Sequence, residues 1–235
     1  MNNNDFLECI SKSFQIFLET GSRSNQKLKI LHGQIAEDLS LRLGKDYRIK
    51  SLGYKEGKED KIQGRYLDKN VDITILKEDN PIAGIGIKFV MQNYSQNSNN
   101  YFENMLGETA NIRSNNIPYF QMFIIPEQLP YYKKSGVFSH WELFTKHNAK
   151  KYLVLSTDNI EHFFHTPTKT LLFIVKLPKI DKEIKSKKDY INYYLKLDKI
   201  SIKISKNDFG DFNSSVIYND YEQYIEKIVH YIQSI

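Results

Sequence analysis

A single cysteine, Cys9, stands in 235 residues, which excludes an internal disulfide and any thiolate-based zinc cluster. A reducing, cytoplasmic setting is the expectation from that usage. No stretch approaches the roughly 18 uncharged apolar residues of a membrane helix, and the Asn-rich residues 1–4 do not read as a signal peptide. No Gly-rich phosphate loop, dinucleotide-binding glycine pattern, Ser-His-Asp arrangement or methyl-donor motif is present. NTP hydrolysis, hydride transfer, acyl transfer and methylation therefore lack support. No internal repeat is evident. What remains is an ordinary soluble composition, 40% apolar and 26% charged, long enough for one substantial domain without covalent staples. The net charge of +5 is a mild indication of a polyanionic partner.

The chain begins with helical spacing. Phe6, Ile10, Phe14 and Phe17/Leu18 share a face that Gly21 closes, and a second helix is expected over 25–43, with Leu28, Leu31, Ile35, Leu39 and Leu43 on one side and Gly44 as its stop. The texture then turns β-rich. Residues 49–52, 62–67, 71–76 and 82–90 are separated by turn signals at 55–58, 68–70 and 79–81, and read as consecutive antiparallel strands. A polar run over 92–100 leads into a helix expected at 99–113. Strands are expected at 119–125, 152–156 and 171–175, with helices at 140–146, 187–196 and 217–232. This order indicates an α/β fold, a mixed central sheet with helices on its faces. Residues 1–235 read as one domain, with a core over about 25–157 that 158–235 completes.

Two residues break apolar strands. Asp72 interrupts Val71-Asp72-Ile73-Thr74-Ile75, and Lys88 interrupts Ile85-Gly86-Ile87-Lys88-Phe89-Val90. A carboxylate and an ammonium on adjacent apolar strands are costly unless they pair or bind something. A hairpin through Asp79-Asn80-Pro81 brings both toward one end of the sheet. There a carboxylate can hold Mg²⁺ and a lysine can orient or deprotonate water, which is what phosphodiester hydrolysis needs. The bland alternative is a cross-strand salt bridge worth about 0–1 kcal/mol.

This segment resembles the PD-(D/E)xK nucleases, whose largest branch is the type II restriction endonucleases. Their pattern is an acid at the start of one strand and an acid-x-Lys triplet on the next. Asp72 matches the first acid, preceded by Val71 in place of proline, and Gly86-Ile87-Lys88 matches the triplet without its carboxylate. The passage from Lys88-Phe89-Val90-Met91-Gln92-Asn93 into Asn99-Asn100-Tyr101-Phe102-Glu103-Asn104-Met105-Leu106-Gly107-Glu108-Thr109 is similar to a restriction-enzyme strand-to-helix passage. The likeness covers roughly residues 30–130. It implies a restriction-endonuclease-like core, Mg²⁺-dependent hydrolysis of double-stranded DNA with Mn²⁺ able to substitute, and a homodimer for a palindromic site. It also implies a cognate methyltransferase in the same system that is not a stable partner. The Ile87 carbonyl is an implied further metal ligand.

Gly86 leaves three explanations open. The second acid has moved to the following helix, where Glu103 and Glu108 are candidates; or Gly86 is an engineered replacement of an acid; or the domain binds DNA without cutting. On a helix Glu103 and Glu108 point about 140° apart, and Glu103, nearer the helix start, is preferred. Glu37, on the first core helix, is a further candidate for the metal, weighed evenly against a solvated carboxylate. Asn93, Gln96, Asn97, Asn99 and Asn100 form an amide-rich loop able to read adenine edges or bind phosphates, or simply a polar loop. Lys176, Lys179, Lys182, Lys185, Lys187 and Lys188 are a solvated face or a backbone clamp. His162 and His165 lack a third ligand and read as incidental. A repair or junction nuclease on the same fold is the other catalytic alternative.

Overall fold

Phe6, Ile10, Phe14 and Phe17 bury one face of α1 (Asn3–Thr20), and Asn2 and Asp5 close a reciprocal cap at its start. The second helix, α2 (Gln26–Leu43), ends at Gly44, whose φ of 84° no β-carbon favours. The computed structural model describes residues 1–55 and 57–235; Glu56, inside the turn expected at 55–58, lies outside the described residues. After α2 come β1 (Tyr47–Ser51), β2 (Asp60–Gln63), β3 (Asp68–Val71), β4 (Ile73–Lys77) and β5 (Asn80–Phe89). Then follow α3 (Tyr94–Arg113), β6 (Tyr119–Pro126), β7 (Gln128–Tyr132), β8 (Phe138–Leu143), α4 (Lys146–Thr157) and β9 (Thr170–Lys176). The chain closes with α5 (Lys187–Leu195), β10 (Lys203–Ile204), β11 (Val216–Tyr218) and α6 (Tyr221–Gln233).

The central sheet is mixed, in the order β1-β4-β5-β6-β9-β10, with β11 also beside β9. β1, β4 and β5 run antiparallel; β5, β6 and β9 run parallel, linked by crossovers that contain α3 and α4. Every residue of β6 is buried, as both faces of a parallel strand are covered. Phe120, Met122 and Ile124 point into a core shared with α1, α2, α5 and α6. Phe123 and Ile125 point into a second core under α3 and α4. Phe6 of α1 stacks on Tyr221 of α6 at 4.0 Å and meets Phe173 of β9 edge-on at 5.0 Å, so both chain ends share the larger core. The expected α/β sheet with helices on its faces is therefore present.

Several expectations are corrected. Residues 140–146 are mostly strand, because β8 pairs with β7 through a turn at Gly136, and 152–156 belong to α4. There Thr145 and Asn148 form a capping box, and Ala149, Tyr152 and Leu155 bury at helical spacing. The strand expected at 62–67 stops at Gln63, and Tyr66 and Leu67 sit exposed at a turn. The amide-rich loop is largely helix: α3 starts at Tyr94, since buried Glu142 of β8 accepts from the Ser95 amide (3.4 Å) and hydroxyl. Residues 217–218 are strand, and Asp220 caps a helix that starts at Tyr221.

Candidate active site

Asp72 sits where β3 ends and β4 begins. Continuing the β4–β5 register one step beyond Ile73↔Ile85 places it across from Gly86. The chain bends there, and the Asp72 side chain takes up the ladder: its Oδ2 accepts from the Ile87 amide at 2.6 Å. One carboxylate oxygen is thus fixed, and Oδ1 makes no hydrogen bond among the described residues. In a strand the N–H and C=O of one residue face the same edge, so the Ile87 carbonyl lies on the edge that meets Asp72. The Ser51 hydroxyl donates to the Asp72 carbonyl at 2.7 Å and holds the backbone in place.

Lys88 follows one residue after Ile87, half-buried. Among the described residues no ion pair forms between Asp72 and Lys88, nor between Lys88 and any other acid. The cross-strand salt bridge is thereby set aside.

Two groups that sequence reasoning missed complete the cluster. His32 of α2 and Glu59, just before β2, each place a ligand atom within 4.8 Å of Asp72 and of one another. His32 is 0% exposed, and neither ring nitrogen has a hydrogen-bond partner. Burial pulls its pKa below the ordinary histidine value, with Asp72 opposing and Lys88 assisting. Glu59 is exposed as a residue, yet partial burial first and the Asp72 charge second push its pKa above the usual carboxylate range. The approach of these segments depends on two glycines. A β-carbon on Gly33 would meet the Gly53 carbonyl oxygen at 2.6 Å, and one on Gly53 (φ 80°) would collide with the Lys29 backbone. The turn after β1 therefore lies directly on α2. In sequence His32 shows only as a polar residue on the apolar stripe of the helix, four residues after Leu28 and three before Ile35.

The position of the missing motif acid is full. A β-carbon on Gly86 would collide with the Tyr119 hydroxyl and stand 2.7 Å from Gln121 Oε1. Both come from the neighbouring strand β6, where Gln121 is the register partner of Gly86. Glu108 reaches this place from α3: its Oε2 lies 3.4 Å from the Tyr119 hydroxyl and its Oε1 pairs with Lys69 at 2.9 Å. Burial, then the charges of Glu108 and Asp72, push Tyr119 well above the ordinary tyrosine range. Glu103, preferred from its place in sequence, is exposed and its charge acts on Lys151 of α4. The helix acid on the Gly86 side is Glu108. Glu37 is also exposed and bonds Gln34 at 3.2 Å, with His32 the α2 residue that faces Asp72.

Of the amides, Asn93 is already engaged: its side chain accepts from the Tyr132 amide (3.2 Å) and donates to the Tyr132 carbonyl (3.5 Å), tethering β7. Asn97 bonds the Asn93 carbonyl at 3.4 Å and Asn99 accepts from Lys151 at 3.3 Å. Gln96 and Asn100 are exposed. Gln96 lines a cleft with Gln92, Tyr131, Lys133, Lys134 and Lys187. Because β5, β6 and β9 are parallel, Lys88, Glu127 and Lys176 mark the same end of the sheet. Compared with family models, curated proteins and solved structures, the chain matches none, so its site is read from its own geometry.

Proposed function

We propose that this chain is a site-specific endonuclease of restriction type, hydrolysing phosphodiester bonds in double-stranded DNA on a restriction-endonuclease-like core. The observation that carries the reading is the end of β5: Asp72 pinned by the Ile87 amide with one oxygen left over, beside an ammonium that pairs with no acid among the described residues. Asp72 and the neighbouring Glu59 carboxylate would hold a divalent cation, and the Ile87 carbonyl lies on the same edge. The cation, when bound, neutralises phosphate charge as the leaving oxygen departs. Lys88 aligns the attacking water opposite that oxygen. Glu108 is the helix acid on the Gly86 side, bonded to the Tyr119 hydroxyl and paired with Lys69, and it holds that side of the site in place. The lysines at the C-terminal ends of the parallel strands, with Gln96 and Asn100, suit a phosphate backbone and base edges. A palindromic site would call for a two-fold dimer.

The filled space at Gly86 also favours a second reading, a protein that binds DNA on the same fold without cutting it. Incubation with plasmid and genomic DNA, with Mg²⁺ or Mn²⁺, separates them. Reproducible, discrete fragments are expected. Binding without cleavage in either ion sinks the enzyme reading, and structure-dependent nicking without defined fragments points to a repair or junction nuclease.

A further inference from the structure

Among the described residues neither ring nitrogen of His32 has a partner, although the side chain is wholly buried. An unsatisfied polar group in an interior costs about 1–3 kcal/mol, so an arrangement of this kind needs a compensating ligand. Among the described residues, the acidic groups clustered with it are the Asp72 and Glu59 carboxylates, within 4.8 Å. Asp72 has one oxygen committed to Ile87, while Glu59 is exposed and stands outside strand β2. Two donors bound to one small dication stand at most roughly 4.2 Å apart, so a modest closing of the Glu59 arm completes the set.

We infer that His32, Glu59 and Asp72 form a mixed nitrogen–oxygen site for a first-row transition-metal dication, in preference to the Mg²⁺ that carboxylates alone would suggest. The inference rests on the reading of Asp72 as a cation ligand, and changes the identity of the ion. Mg²⁺ is hard, takes oxygen donors and keeps several waters, whereas an imidazole nitrogen favours the later, softer dications. Glu59 is the exposed member of the set and His32 the buried one. Glu108 and Lys69 neutralise each other at 2.9 Å and leave the set as these three residues.

Co²⁺ and Mg²⁺ titrations of the whole chain without DNA test this, by calorimetry and by the visible spectrum of Co²⁺. One Co²⁺ is expected per chain, bound at least about tenfold more tightly than Mg²⁺. Co²⁺ should shift the ring signals of His32 and leave those of the other five histidines in place. His32→Gln should lose most of the Co²⁺ preference with little change toward Mg²⁺. Should His32→Gln not fold, Glu59→Gln, an exposed change, should still weaken Co²⁺ roughly tenfold or more. Equal affinities for the two ions, unmoved His32 signals, or wild-type Co²⁺ affinity in Glu59→Gln would each overturn the site. Co²⁺ bound at His32 by a protein that never cuts DNA would instead overturn the nuclease reading alone. Cleavage that His32→Gln leaves intact in Mg²⁺, with no Co²⁺ site, would do the reverse.

Discussion

Gly86 shows how one residue can be read two ways until its neighbours are known. In sequence it is a hole in a motif. In the fold it is the only residue that fits between Asp72 and the Tyr119 hydroxyl, with Gln121 Oε1 close behind. Gly86→Ala should therefore destabilise the protein by about 1–3 kcal/mol, as overpacking of a filled interior does. The same substitution in a Tyr119→Phe background, which removes the nearest atom, should cost clearly less; denaturant unfolding of the four proteins measures the coupling. Equal costs in both backgrounds would mean that Tyr119 does not occupy the position. Asp72 and Lys88 were legible because a charge inside an apolar strand has few inexpensive explanations. His32 was not, because a histidine on the apolar stripe of a helix is ordinary until two carboxylates from distant segments arrive beside it. The same holds for Glu108 against Glu103: sequence gives their angular separation, but which one faces the sheet depends on how α3 is rolled.

Among the elements, those with strong apolar spacing were legible, α1, α2, β4, β5, β6, β9 and α6 among them, though boundaries moved. The misplaced ones depend on partners. β8 exists because β7 is there to pair with it, and α4 is an amphipathic helix whose short buried stretch of Tyr152 and Leu155 can pass for a strand. α3 extends five residues earlier than its composition suggests because Glu142 secures Ser95, a contact over 47 positions. The hairpin of β2 and β3, which sets Glu59 and Asp72 at its two ends, is fastened to α3 by the Lys69–Glu108 pair and by the buried Asn111. Asn111 accepts from the Tyr66 and Leu67 amides (2.9 and 3.3 Å) and donates to the Leu67 carbonyl (2.9 Å). Asn111→Ala should cost about 1–2 kcal/mol, since it removes the side chain that bonds the Tyr66 and Leu67 amides and the Leu67 carbonyl. Amide exchange at Tyr66 and Leu67 should accelerate beyond that at β6. Unchanged protection at those two amides would show that the hairpin is held by something else.

At the scale of the whole molecule, the mixed sheet with helices on both faces was foreseeable from the alternation of elements, but not the place of the last third of the chain. β9 pairs with β6, and Leu171 to Val175 are fully buried. A chain ending at residue 157 should show no cooperative thermal transition by circular dichroism; a sharp transition would mean that the core over about 25–157 stands without β9. The parallel strands gather Lys88, Lys176 and the cleft containing Lys133, Lys134 and Lys187 at one end of the molecule. DNA affinity should accordingly fall steeply with salt, because each neutralised phosphate releases counterions. The most direct test of the account separates that binding from the chemistry. Lys88→Ala should bind duplex DNA within a few-fold of the parent at fixed salt, yet lose about a hundredfold or more of its cleavage rate. Cleavage by Lys88→Ala at the parent rate would contradict the assignment of the end of β5 as the place where DNA is cut.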